Sequence, residues 1–238
     1  MHSSIRQGKM SKVVCSKLKE CVKSRFIGTQ HEWESHIDNI FQIFDKNLKG
    51  YSPNNIIDVG CGDGYRTVRI AEYFGIDKSN VYGVDNDEKR IIACQNIFNT
   101  TRVDLEFESI PHHNNKFDLA ICNQVLEHLK YYSNVIEELI RITKINGYIL
   151  IGIPNLSHLI NRIYLLFGIQ PMCIAIDSSH VRAFTHRDFV RMLNSLQEIK
   201  LIDFEGALMY PLPLFLSKAL AHYFVGLTGY VCYLMQKI

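Results

Sequence analysis

The chain lacks most of the features that announce common function classes. Its seven cysteines (Cys15, Cys21, Cys61, Cys94, Cys122, Cys173 and Cys232) form no C-x-x-C pair and no His/Cys group at zinc spacing. That excludes a disulfide scaffold or zinc ribbon, and no metal ligand set is expected from linear spacing. The odd count, with several thiols inside apolar runs where they behave as small hydrophobes, points to a reducing, cytoplasmic compartment. Charge of one sign is also missing: 26 basic against 24 acidic residues leave a net +2, so no nucleic-acid partner is expected. The scattered Lys9, Lys12, Lys17, Lys19 and Lys23 read as a solvated helix face. Met1–Gly28 carries charges throughout and has no continuous apolar stretch, so no signal peptide is expected. No internal repeat or low-complexity segment is visible.

What remains is enough for one core: 238 residues, 47% hydrophobic. Residues 1–30 read as a polar arm and 31–238 as the domain. The most informative stretch is Ile56-Ile57-Asp58-Val59-Gly60-Cys61-Gly62-Asp63-Gly64. An apolar strand runs into three alternate glycines, and Thr67-Val68-Arg69-Ile70-Ala71 then starts a helix. Glycines at such a turn permit positive φ and close approach of a ligand to the backbone, and the helix start adds free N–H groups. This is the layout of a nucleoside-cofactor site in a doubly wound α/β fold. A dinucleotide fingerprint would need a small residue where Tyr65 stands. Asp58, just before the glycines, suits a cationic amino group better than a pyrophosphate. About 20 residues further on, Val81-Tyr82-Gly83-Val84-Asp85 ends in a second acid, the separation at which a carboxylate accepts both ribose hydroxyls. Taken alone, Asp85 also reads as the N-cap of a helix over Glu88–Phe98.

Residues 55–64 resemble motif I of the class I S-adenosylmethionine-dependent methyltransferases. In order after it, Lys116–Asn123 is similar to the family's fourth strand, and Gln124-Val125-Leu126-Glu127-His128-Leu129 to its v-L-E-H-l signature. Asn146–Asn155 is similar to its fifth strand ending in P-N, and Ser179–Phe189 to an H-x-R-x-F-t segment. The resemblance spans about residues 35–206 and extends to the type 11/23 and ubiquinone-biosynthesis O-methyltransferase groups. It implies a Rossmann-like, mostly parallel doubly wound sheet with an antiparallel last strand, and S-adenosylmethionine as cofactor. The cofactor residues it implies are Asp58, Gly60, Cys61 and Gly62 of the turn, Asp85 and Asn86, and Asn123 and Gln124 beyond the fourth strand. Asn123 also reads as a turn residue bonding its own backbone. The third strand is expected near Val103–Phe107, with Glu106, Glu108 or Ser109 beside the adenine.

The expected activity is O-methylation of a small molecule, lipid-linked precursor or surface sugar. The alternative is a cofactor-binding regulator without turnover, of the MetW-like group. His128 is the candidate general base, since an imidazole titrates near neutrality. A packing role competes with it, and in quinone-type O-methyltransferases acids and a histidine near this signature are associated with a divalent metal. His180 reads either as an acceptor-pocket residue or as a surface histidine, and His112-His113 as part of a polar turn. An insertion, 156–186, falls after the fifth strand, where substrate-covering segments lie in this fold. Expected around it are helices Leu156–Phe167 and Arg187–Leu196, then strands Ile199–Phe204 (extending toward Ala207) and Tyr230–Gln236. The apolar 212–235 reads as a buried helix plus edge strand, with peripheral membrane contact as the competing reading.

Overall fold

The structure is a computed structural model that describes residues 30–238, and the side chains within it from residue 35 on, Leu214 excepted. The arm expected at 1–30 lies, but for Gln30, outside the described residues.

Helix α1 (Gln30–Asn47) precedes a seven-stranded sheet built from β1 (Ile56–Val59), β2 (Val81–Asp85), β3 (Asn99–Arg102), β4 (Phe117–Asn123), β5 (Thr143–Pro154), β6 (Ile199–Ala207) and β7 (Tyr230–Lys237). Across the sheet the order is β3-β2-β1-β4-β5-β7-β6. The first five strands pair in parallel, and β7 runs antiparallel to both of its neighbours. Every residue of β1 is buried, as a strand covered on both faces requires. Its alternation divides the core. Ile57 and Val59 join the face covered by α4 (Tyr132–Ile142) and α6 (His186–Leu193). Ile56 joins the face covered by α1, α2 (Tyr65–Phe74) and α3 (Glu88–Cys94). The α1 stripe of Ile37, Ile40 and Phe44 is buried there, as its helical spacing anticipates.

Several expectations need correction. The third strand is Asn99-Thr100-Thr101-Arg102, not Val103–Phe107. It is a polar, largely exposed edge, held by Asn99 Nδ2 donating to the carbonyls of Ser79 and Val81. Val103 and Leu105 are apolar because they drop from the following turn into the core. Residues 103–116 reach β4 by turns without a helix, so the strand–helix alternation is broken there. The Glu88–Phe98 helix ends at Cys94, and its N-cap is Asp87, whose carboxylate accepts from the amides of Lys89 and Arg90. Between β5 and α6 the segment carries only α5 (Leu159–Leu166) and a 3-10 turn at Met172–Ile174.

The last strand is not an edge. β7 lies between β5 and β6, and none of Tyr230–Met235 is more than 1% exposed. An unbroken Tyr-Val-Cys-Tyr-Leu-Met run has two apolar faces, which only an interior strand can bury. Helix α7 (Leu214–Ala221) is less covered than expected, since Phe215 and Leu216 face outward while Ser217 and Ala221 are buried. No helix among the described residues is long and apolar enough to cross a membrane.

One close contact fixes β4, β5 and β7 together. The Tyr230 hydroxyl donates to Asn123 Oδ1 at 2.8 Å, passing over Gly152, which is paired with Asn123. A Cβ on Gly152 would overlap both partners. Gly152→Ala is therefore expected to cost roughly 1–3 kcal/mol, the usual range for overpacking, read as a lower urea midpoint with unchanged slope.

Candidate active site

The glycine turn and the end of β2 form one unit. Gly60, Gly62 and Gly64 all have positive φ. At Gly60 a side chain would also collide with Val125, so no other residue fits. The amides of Gly60 and Cys61 donate to the Val84 carbonyl at 2.7 and 3.0 Å. Asp85 then closes the unit: one carboxylate oxygen accepts from the Gly62 amide and the other from the Asp87 amide, each at 2.9 Å. Asp85 is thus not the helix cap. It is a buried carboxylate whose backbone bonds aim it along the rim, with lone pairs to spare for further donors.

These elements border a crevice of about 700 Å³ lined by Gly60, Gly62, Asp85, Asn86 and Gln124 among others. It opens beyond the carboxyl ends of β1, β2 and β4, the switch point where such sheets take ligands. Three other expected cofactor residues stand behind its wall. Asp58 is 3% exposed and accepts the Thr67 hydroxyl at 2.6 Å. Burial raises its pKa, opposed by the nearby Arg66 and the Thr67 bond. Cys61 is buried, and burial lifts its thiol well above the ordinary range, so it packs rather than reacts. Asn123 does not bond its own backbone. Its oxygen takes the Tyr230 hydroxyl, while its Nδ2 and the Nε2 of Gln124 are buried without a partner among the described residues. Gln124 itself has a φ of 59°.

Sequence reasoning missed several lining residues. His36 comes from α1, stacked on Tyr230 at 4.2 Å between ring centroids. Arg66 and Arg90 reach in from helices whose spacing showed only their apolar faces. On the wall beyond β3, Asp104 and Leu105 line the crevice together with Glu106. Of the three residues weighed there, Glu108 and Ser109 are not among the lining. The Glu106 carboxylate accepts the amides of Lys130 and Tyr131, and Glu108 accepts the Asp104 amide at 2.6 Å.

At the far end the 3-10 turn Leu126–His128 meets the segment after β5. The carbonyl of Glu127 accepts the amides of Val181 and Arg182 at 2.9 and 3.1 Å, bringing His180 against His128 with ring centroids 4.7 Å apart. Both histidines and Glu127 line the crevice, and one ligand atom from each lies within 4.8 Å of the others. No linear spacing displays this trio. Glu127 is fully buried, and neither carboxylate oxygen has a hydrogen-bond partner among the described residues. Burial pushes its pKa up to about 8, opposed by its own nearby backbone amide and by Arg66. His112, by contrast, packs its ring on Tyr82 and Phe117.

Residues 52–195, more than half of the chain, match the methyltransferase-domain family. The chain belongs to this family. It is a methyltransferase by that membership, and the folds of solved structures agree. An S-adenosylmethionine-dependent methyltransferase from Archaeoglobus fulgidus is 18% identical, with 92% of this chain and 99% of that one covered and a TM-score of 0.59. A possible histamine N-methyltransferase from Thermotoga maritima is also 18% identical, covering 91% of this chain and 99% of its own at a TM-score of 0.57. The 4+2 cyclase SpnF is 14% identical, with 83% and 79% covered and a TM-score of 0.58. These likenesses concern the fold.

The buried carboxyl of this methyltransferase makes a pH prediction. Glu127 titrates near 8 when folded against an ordinary value of 4.5, so the folded chain holds a proton that the unfolded chain releases. Its contribution to stability is fully favourable below about 4.5 and declines as pH rises toward 8. Glu127→Gln removes that penalty. In chelator-treated buffer, its urea midpoint relative to wild type should climb steadily between pH 5 and pH 9. A constant difference across that range would show that the carboxyl titrates normally.

Proposed function

We propose that this methyltransferase carries the methyl group of S-adenosylmethionine, its cofactor, to a hydroxyl oxygen of a small molecule, a lipid-linked precursor or a surface sugar. The observation that carries the reading is the single crevice joining the Gly60–Gly62 backbone and Asp85 at one end to His128 at the other. In this reading Asp85 accepts the ribose hydroxyls, Asn86 lies beside the adenine, and Gln124 closes over the cofactor. The glycine turn lets the methionine part approach the backbone. Asp58, Cys61 and Asn123 shape that surface from behind. The cofactor ammonium supplies positive charge in the direction of the desolvated Asp58 carboxylate.

The chemistry is an in-line displacement. The acceptor oxygen forms a bond to the methyl carbon, the carbon–sulfur bond breaks, and its electron pair stays on the now neutral sulfur. The hydroxyl proton goes to Nε2 of His128. Nδ1 faces both the Ser179 carbonyl at 3.3 Å and the Ser179 hydroxyl at 3.2 Å; in this reading it donates to the carbonyl, which leaves the lone pair on Nε2. The segment 156–186 covers the acceptor end. Its outward Leu166, Phe167 and Ile176, 84%, 76% and 93% exposed, favour a greasy or lipid-linked acceptor met at a membrane surface. The five unpaired thiols among the described residues suit the cytoplasm.

Cofactor binding is tested by thermal shift. S-adenosylmethionine and S-adenosylhomocysteine should each stabilise the chain by about 2.7 kcal/mol at 100 times Kd, and NAD should not. Asp85→Ala, if folded, should weaken binding by roughly 1.5–3 kcal/mol, the range for hydrogen bonds to a charged group. Unchanged affinity would mean that the ribose is held elsewhere.

Acceptor class is tested with labelled cofactor against lipid-linked sugars and quinols in vesicles. Changing Leu166, Phe167 and Ile176 together to Ser should raise KM for such acceptors several-fold. Cofactor affinity should stay unchanged and stability should shift by only about 0.5 kcal/mol per site, as is usual at exposed positions. Equal transfer by wild type and variant would remove the lipid-facing part of the proposal.

A further inference from the structure

We propose that the Glu127 carboxylate is the counter-ion of the cofactor's sulfonium, ionised while the positive sulfur lies in the crevice and protonated once the methyl group has left. This role rests on the proposed reading, in which one crevice joins the glycine turn to His128, and it leaves His128 as the base.

Position comes first. Methyl transfer requires the reacting oxygen and carbon to lie about 3–3.5 Å apart, with the sulfur one bond beyond the carbon. His128, which receives the hydroxyl proton, marks where the oxygen stands. One carboxylate oxygen of Glu127 lies within 4.8 Å of a nitrogen of that ring. The carboxyl and the sulfonium are therefore neighbours in one crevice. Glu127 is also short of partners: it is 0% exposed, and neither oxygen has a hydrogen-bond partner among the described residues. A buried carboxyl of this kind ionises only when a charge or a set of donors compensates it.

The groups around it supply little. His128 stands on its own turn. His180, from the segment after β5, gives its Nδ1 hydrogen to the Cys173 carbonyl at 2.6 Å, and burial holds its pKa down. Cys122 of β4 and Tyr230 of β7 sense the carboxyl, and burial keeps both protonated. Arg66 on α2 is the cation that acts on Glu127, and burial outweighs it. Without cofactor, Glu127 thus holds a proton at neutral pH.

A bound sulfonium changes that balance. An opposite charge within about 4–6 Å lowers a carboxyl pKa by roughly 1–3, which takes Glu127 from about 8 to roughly 5–7. Binding of S-adenosylmethionine therefore releases a proton from Glu127. Binding of S-adenosylhomocysteine, whose sulfur is neutral, does not. Since the bound-state pKa is the lower one, affinity for the sulfonium rises with pH until Glu127 is ionised in the free protein as well. During turnover the carbon–oxygen bond forms, the carbon–sulfur bond breaks with its electron pair on sulfur, and the hydroxyl proton passes to His128. Glu127 has then lost its counter-charge and accepts that proton from the imidazolium. A sulfonium and a carboxylate have become a sulfide and a carboxylic acid, so this pair begins and ends without net charge.

The test measures binding of both nucleosides to the full chain, wild type and Glu127→Gln, by calorimetry from about pH 6 to pH 8.5. Dividing wild-type by variant affinity at each pH cancels the ionisation of the ligand's own amino group. For S-adenosylmethionine this ratio should rise at least about fivefold across the range. For S-adenosylhomocysteine it should stay constant. A second readout needs no variant: infrared difference spectra of wild type near neutral pH should lose a protonated-carboxyl band with S-adenosylmethionine and keep it with S-adenosylhomocysteine. Binding of S-adenosylhomocysteine by the variant shows that it is folded with its cofactor site intact. A flat ratio for S-adenosylmethionine, an equal rise for both nucleosides, or a carboxyl band that survives S-adenosylmethionine would each overturn the proposal and leave the cofactor reading standing. Failure of wild type to bind either nucleoside would overturn both.

Discussion

Asp85 carries two jobs that cannot be separated. Its carboxylate is tied by one oxygen to the Gly62 amide and by the other to the Asp87 amide, so the same group holds the glycine turn against β2 and sets the start of α3. Gly60 gives its amide to the Val84 carbonyl, and a side chain on it would collide with Val125. Everything that faces the crevice from the β1–β2 side inherits its position from this carboxylate. Backbone donors also leave its remaining lone pairs aimed outward, so binding capacity is a by-product of holding the turn.

The opposite side of the crevice depends on a different device. The strand order turns back at β1–β4, which opens a cleft there, and the chain brings Ser179 and His180 to it from beyond β5. It does so with backbone pairing at the Glu127 carbonyl and with Asn155. The Asn155 side chain donates to the Gly226 and Thr228 carbonyls and accepts from Ser157 and the amide of His186. One buried amide thereby fixes where the segment after β5 leaves the sheet, where α6 begins and where the approach to β7 turns. The P-N pair at the end of β5 is therefore a junction of three chain segments as much as a strand terminus.

How much of this was legible varied with range. The β1–turn–α2–β2 unit was readable because its signals are local: an apolar run, alternate glycines, and an acid at a set distance. Asn99–Arg102 escaped because an exposed edge strand made of polar residues has no apolar alternation, while Val103 and Leu105 imitated one from a turn. The length of β7 was visible, but its neighbours were not, since a strand's place in the sheet is decided by partners far away in sequence. His128 was noticed for its residue type, yet its relation to Glu127 and His180 belongs to a contact across some fifty residues, which no period reveals. Asp58 was seen correctly as an acid before the turn, but only the fold shows that it faces Thr67 rather than the open crevice.

The two ends of the crevice carry different weight. A glycine turn with a rim carboxylate can bind a nucleoside whatever happens next to it, so that end identifies a cofactor class and leaves the reaction open. In the proposed reading the acceptor sits at the other end, where Glu127, His128 and His180 line the crevice. Burying Glu127 without a hydrogen-bond partner costs stability that a purely structural turn would have no reason to give up, since a Gln or Leu of similar size would fill the space at lower cost. Buried polar atoms without a hydrogen-bond partner among the described residues stand toward both ends of the crevice, on Asn123 and Gln124 as well as on Glu127.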